Sequence, residues 1–116
     1  MTEPEPKPRT IYLHVTQIAT LDHWCAWIRR AFKRPPYLVG SVLARPDWRD
    51  VDLRMILPDE QYDVLPCDPK VLNVAFSVWG QQATGLPIDF QFQQQSAANA
   101  EFDGKCYPRG IGASGE

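Results

Sequence analysis

Residues 37–57 read YLVGSVLARPDWRDVDLRMIL, and the fold turns on how this stretch divides. Tyr37-Leu38-Val39 is a short apolar run that enters Gly40-Ser41 directly, the pattern of a buried strand ending in a turn. Val42 to Arg49 is broken by Pro46 and reads as a turn or short helix. From Asp50 the residues alternate. Val51, Leu53, Met55 and Leu57 share one face of a strand, while Asp50, Asp52 and Arg54 share the other. Pro58 ends it.

On the C-terminal side, Asp59 to Pro66 form a connection with room for a helical turn. Asp68-Pro69 is a good N-cap and first-turn pair, opening a helix that carries Val71, Leu72, Ala75, Phe76, Val78, Trp79 and Ala83 up to Gly85. A third strand, Pro87 to Gln93, sets Ile88, Phe90 and Phe92 against Asp89, Gln91 and Gln93. A short helix from Ser96 to Phe102 follows, and Gly110 to Glu116 read as loose.

On the N-terminal side, Thr10 to Val15 alternate as a short strand or extended segment. Thr20 then suits an N-cap, with Asp22 in the first turn of a helix. Leu21, Trp24, Cys25, Ile28, Ala31 and Phe32 form its apolar stripe, with Trp27 beside it. Arg29, Arg30, Lys33 and Arg34 load its C-terminal end before Pro35-Pro36 stops it. That placement suits the helix dipole, and also an anionic partner. Trp24, Trp27 and Trp79 fall at core spacing. The expected class is α+β (α/β-like), a small mixed sheet with the two tryptophan-bearing helices on one face. Residues 1–9 read as a disordered tail, 10–103 as one domain and 104–116 as a flexible tail.

The 116 residues suffice for one core and not for a second substrate lobe. Apolar residues at 44% and charged residues at 22% exclude wholesale disorder. Twelve basic against fourteen acidic residues leave a net charge of −2, which gives no global grip on nucleic acid. Cys25, Cys67 and Cys106 are widely spaced, with no zinc-ribbon or thioredoxin-type pair, and read as buried thiols in a reducing cytoplasm. No apolar run reaches the ~20 residues of a membrane span, and no signal-peptide pattern opens the chain. His14 and His23 lack ligands at useful spacing and read as structural or surface residues.

Chemistry is carried by acids. Asp50 and Asp52 point the same way from one strand, roughly 6.5–7 Å apart. Such a pair suits a shared cation, or else is an ordinary solvated sheet face. Asp89, set between Ile88 and Phe90, supplies a third carboxylate, and three together make an oxygen-rich site suited to Mg²⁺ or Mn²⁺. Gly40-Ser41 offers close backbone approach for a phosphate, or is a plain turn.

The order Tyr37-Leu38-Val39, Gly40-Ser41, eight residues, Asp50-Val51-Asp52-Leu53, helix, Ile88-Asp89-Phe90 resembles the nucleotidyltransferase superfamily with the DNA-polymerase-β-like palm. The likeness covers Leu21 to Gln93 and is closest to minimal, single-domain members of the short phage and antitoxin type. Ala44-Arg45-Pro46-Asp47 before the Asp-Val-Asp is similar to the family's spacer, although Pro46 stands where a glycine is usual and the spacer is slightly short. The resemblance implies transfer of a nucleoside monophosphate, in particular AMP, from a nucleoside triphosphate to a hydroxyl. It implies metal held by Asp50, Asp52 and Asp89, with Asp89 also helping to deprotonate the acceptor. Gly40 and Ser41 would bind the β- and γ-phosphates, and Arg45 is a further phosphate contact. A protein acceptor, or a helical partner of the HEPN type, is implied as company. The competing expectation is an inactive palm that binds a nucleotide or a protein. Lys105, Tyr107 and Arg109 are candidate nucleotide or partner contacts.

Overall fold

The computed structural model describes residues 11–102 and 109–110, and its fold is α+β. Chain order is α1 (Val15–Phe32), β1 (Tyr37–Val39), a single 3-10 turn (Gly40–Leu43), β2 (Val51–Leu57), α2 (Asp59–Asp63), α3 (Pro69–Thr84), β3 (Ile88–Gln94), α4 (Gln95–Phe102) and β4 (Arg109–Gly110). The sheet runs β3-β2-β1-β4. β1 lies antiparallel to β2 and to β4, whereas β2 and β3 are parallel. A parallel neighbour requires a crossover, and α3 supplies it.

α3 has the termini its sequence predicts. Asp68 Oδ1 accepts the Lys70 N–H at 2.9 Å, Pro69 opens the first turn, and Gly85 ends the helix with a left-handed φ of 73°. α1 begins earlier than expected. Its N-cap is His14, whose backbone N–H donates to Gln17 Oε1 at 2.8 Å. Thr20 is therefore inside the helix, and its hydroxyl donates back to the Thr16 carbonyl at 2.9 Å. Residues 11–14 form no strand. They are tied to the fold by the Tyr12 N–H donating to the Val42 carbonyl at 2.8 Å, and by the Trp48 indole donating to the Tyr12 carbonyl.

α1 and α3 cover one sheet face, as the alternation of β2 and β3 requires. Leu53, Met55, Leu57, Ile88, Phe90 and Phe92 are buried there with Leu21, Trp24, Cys25 and Ile28 of α1. The rings interlock: Phe90 lies 5.1 Å from Phe76 in a tilted pair and 5.9 Å edge-on from Trp24, and Phe32 lies 5.5 Å edge-on from Phe92. Gly80 lets the helices meet, because a Cβ there would stand 2.6 Å from Trp24 Cη2 and 3.0 Å from Ile88 Cγ2. Trp24 alone of the three candidate core tryptophans is buried. Trp27 is 56% and Trp79 42% exposed, since both sit at the margin of the α1–α3 contact.

β3 is an edge strand, and α3 closes that edge with side chains. Asn73 Oδ1 accepts the Phe92 N–H at 2.8 Å and Ser77 Oγ accepts the Phe90 N–H at 2.8 Å. Gln81 Nε2 donates to the Ile88 carbonyl at 3.0 Å. These residues recur every four positions on one helix face. Cys25 is buried as expected, and burial, aided by the Asp22 charge, pushes its thiol well up so that it stays protonated. Cys67 is exposed instead, and Cys106 lies outside the described residues. So do residues 1–9, Lys105, Tyr107 and 111–116, whereas Gly110, expected to be loose, pairs through its backbone with Tyr37. Among the described residues no helix is long and apolar enough to cross a membrane.

Candidate functional site

The face turned away from α1 and α3 gathers the acids. Val39 of β1 lies opposite Asp52 of β2, and Asp52 lies opposite Asp89 of β3, so one row crosses three strands. Partners in a row point to the same face, about 4.8 Å apart. Leu53 and Phe90, one step along, point to the helices, which aims Asp52 and Asp89 away from them. The carboxyl groups of Asp52 and Asp89 are in hydrogen-bond contact, which favours the protonated form of Asp52.

The glycine turn presses on the same carboxylate. Gly40 follows Val39 with φ +81°, and a Cβ at that position would overlap Asp52 Oδ2 and stand 3.2 Å from Cγ. Both the backbone angle and the space demand glycine. Ser41 is half-buried in the 3-10 turn, where its carbonyl accepts the N–H groups of Ala44 and Arg45 at 2.9 Å. The structure thus brings Gly40, Asp52 and Asp89 together.

Asp50 precedes β2 and is exposed. It acts on Asp52 through charge. The Asp52 pKa is raised to about 6, first by burial, then by the negative charges of Asp89 and Asp50 and the hydrogen bond with Asp89. Arg54, two residues on and facing the same way, opposes that rise. Its guanidinium is held by Gln93 Oε1 at 3.0 Å and by Glu101 of α4 at 3.2 Å, and Gln93 also donates to Glu101 at 2.9 Å. α4 therefore walls one end of the acidic face. Arg45 is exposed and pairs with Asp47 at 3.6 Å.

Two carboxylates in contact, with a third charge nearby, are hard oxygen donors that fit a divalent cation such as Mg²⁺ or Mn²⁺. Among the described residues, however, no three His, Cys, Asp or Glu side chains stand close enough together to enclose one ion. Beside Asp89, a groove of about 300 Å³ runs outside β3 past Ser77, Gln81 and Gln91. The acidic residues were readable in the chain; Glu101, which holds Arg54 in place, was not, because nothing in its local pattern marks it. No protein-family profile, curated protein or solved structure matches this chain.

Proposed function

We propose that the acidic face is the site of a metal-dependent nucleotidyltransferase that moves a nucleoside monophosphate, in particular AMP, from a triphosphate to a hydroxyl. The observation that carries this reading is the row in which Asp52 is wedged between the Gly40 turn and Asp89. Such a row has two carboxyl groups that repel once both are ionised, a cost that a bound cation would remove.

Asp52 and Asp89 would hold the ion, with Asp50 as the third acid that the family resemblance implies. A bound Mg²⁺ or Mn²⁺ would neutralise phosphate charge and let both carboxylates stay ionised. Gly40 and Ser41 receive the β- and γ-phosphates, and Arg45, freed from Asp47, is an outer phosphate contact. Transfer forms a bond from the acceptor oxygen to the α-phosphorus and breaks the bond to the bridging oxygen, releasing pyrophosphate. The acceptor proton passes to Asp89, beside the groove outside β3, which gives an acceptor room. The remaining work is positioning and charge stabilisation rather than covalent catalysis. A protein acceptor or a helical partner of the HEPN type belongs to this reading, as does a reducing cytoplasm, consistent with the unpaired Cys25 and Cys67.

The exposed position of Asp50, outside β2, favours a second reading in which the palm binds a nucleotide without transferring it. Calorimetry with Mg²⁺ and a non-hydrolysable ATP analogue tests both. Binding that needs the metal and disappears in Asp52→Ala and Asp89→Ala is the expected result. Pyrophosphate release from ATP separates transfer from binding alone. Wild-type protein that ignores the nucleotide with either metal ends both readings.

A further inference from the structure

α1 and α3 meet on the sheet face opposite Asp52 and Asp89, and their contact leaves a groove of about 530 Å³. Buried Trp24 lies at its floor, exposed Trp27 and Trp79 flank it, and His23, Thr20 and Ala83 contribute to the rim. That volume is in the range of small-molecule sites, and so is the mixture of aromatic walls with a few polar groups.

One atom of the floor is left without a role by the fold. The Trp24 indole N–H is, among the described residues, the single buried side-chain polar group that has no hydrogen-bond partner. A buried donor left unpaired is both costly and rare. Its direction follows from the ring. Cη2 and Cζ2 of Trp24 are the atoms that a Cβ on Gly80 would meet, and Nε1 is bonded to Cε2, the neighbour of Cζ2. The N–H therefore leaves the ring on the side of α3, where Trp79 and Ala83 flank Gly80 and line the groove. Trp79 stands edge-to-face with Trp24 at 5.4 Å, and a ring face is only a weak acceptor.

Charge narrows the choice of ligand. The Arg30 guanidinium lies 5.9 Å from the centre of the Trp27 ring, and no Asp or Glu among the described residues lines the groove. A cationic ligand would meet Arg30 with no carboxylate to offset the repulsion, whereas an anion is attracted. The exposed indoles suit a flat ring, which stacks on them at little entropic cost.

We propose that this groove binds a planar aromatic acid. Its ring stacks on Trp27 and Trp79, a ring nitrogen or oxygen accepts the Trp24 N–H, and its anionic group faces Arg30. The acceptor reaches the N–H by turning Trp79 outward, a rotation open to an exposed side chain. The site is separate from the acidic face and independent of nucleotide transfer.

Heteronuclear NMR of the tryptophan indole groups in the full chain tests this. Quinoline-6-carboxylate, whose ring nitrogen is the acceptor, should shift the Trp24 indole N–H downfield and move Trp27 and Trp79, while Trp48, already bonded to the Tyr12 carbonyl, stays in place. For a fragment of this size a Kd on the order of 0.1–1 mM is expected. Its aminomethyl analogue, a cation of the same shape, should bind about three-fold more weakly, and Arg30→Gln should remove that preference. Ala83→Leu fills the groove from an exposed position and should abolish the shift with unchanged circular dichroism; Ala19→Leu does the same from the α1 wall if the first variant unfolds. A Trp24 signal unmoved by millimolar quinoline-6-carboxylate overturns the proposal, as does a shift that both filled variants retain. Equal affinity for the two quinolines rejects an acid as the ligand. Trp27 and Trp79 signals that broaden with protein concentration alone assign the face to a second copy of the chain, and also overturn it.

Discussion

Under α1 and α3, strands β2 and β3 present Leu53, Met55, Phe90 and Phe92 to a closed apolar layer; one residue along, the same strands present Asp52 and Asp89 to each other. Neighbouring positions thus have opposite energetics. On the covered face every side chain gains by leaving water, and packing is tight enough that Gly80 has no space for a methyl group. On the open face, burial and neighbouring charge both act against ionised Asp52. The difference teaches that the fold places its stability in one layer and can then tolerate an unfavourable cluster in the other. Truncation should therefore harm the first face, and removing charge should help the second.

The largest effect is expected for Phe90→Ala, which removes a fully buried ring touching Trp24, Phe76 and Phe92, at about 3–5 kcal/mol. Chemical denaturation measures it, and a loss below 1 kcal/mol would mean that the covered layer is not the seat of stability. Gly80→Ala forces a Cβ against Trp24 and should cost about 1–3 kcal/mol, with a shift in tryptophan emission as α1 is displaced.

The sign reverses at Asp52. Its pKa is raised in the folded state, so the protonated form favours folding. That benefit is complete below the ordinary value of 3.8 and is lost as pH rises through about 6. Asp52→Asn should therefore raise the melting temperature above pH 6, by the equivalent of about 1 kcal/mol after allowance for a half-exposed group, and change little below pH 4. Equal destabilisation at both pH values would show that the carboxylate is a structural partner instead. Mg²⁺ should narrow the gap at pH 8 by stabilising wild type and not the variant. Glu101→Gln gives the smallest effect, about 0.5 kcal/mol or less, because its pair with Arg54 is partly solvated. Thermal melts at low and high salt check it: a difference that persists at high salt contradicts a screened pair.

The parts of the fold legible in the sequence are those with local chemistry of their own. Asp68-Pro69 and Gly85 bracket α3, and alternation marks β3 and β2 as far as Met55, beyond which Ile56 and Leu57 are both buried. Ile11, Leu13 and Val15 alternate equally well, but among the described residues no strand pairs with them and Val15 already opens α1; a strand needs a partner as much as a pattern. Thr20 has the chemistry of a cap, but the His14 N–H bond to Gln17 Oε1 starts the helix nearly two turns sooner. Of the candidate site, alternation separated Asp52 and Asp89 from the apolar residues of β2 and β3, whereas Asp50, read as part of the strand, stands just before it. Their convergence depends on Val51 pairing with Ile88, a register that only the assembled sheet defines. The polar series Asn73, Ser77 and Gln81 was visible in the chain, but its meaning depends on knowing that β3 is outermost.

That series has a consequence for how the molecule associates. An outermost strand normally offers a template on which another chain can crystallise, strand upon strand. Here the vacant rungs at Ile88, Phe90 and Phe92 are occupied by amide and hydroxyl groups from the adjoining helix, so backbone polymerisation from that side is blocked at its first step.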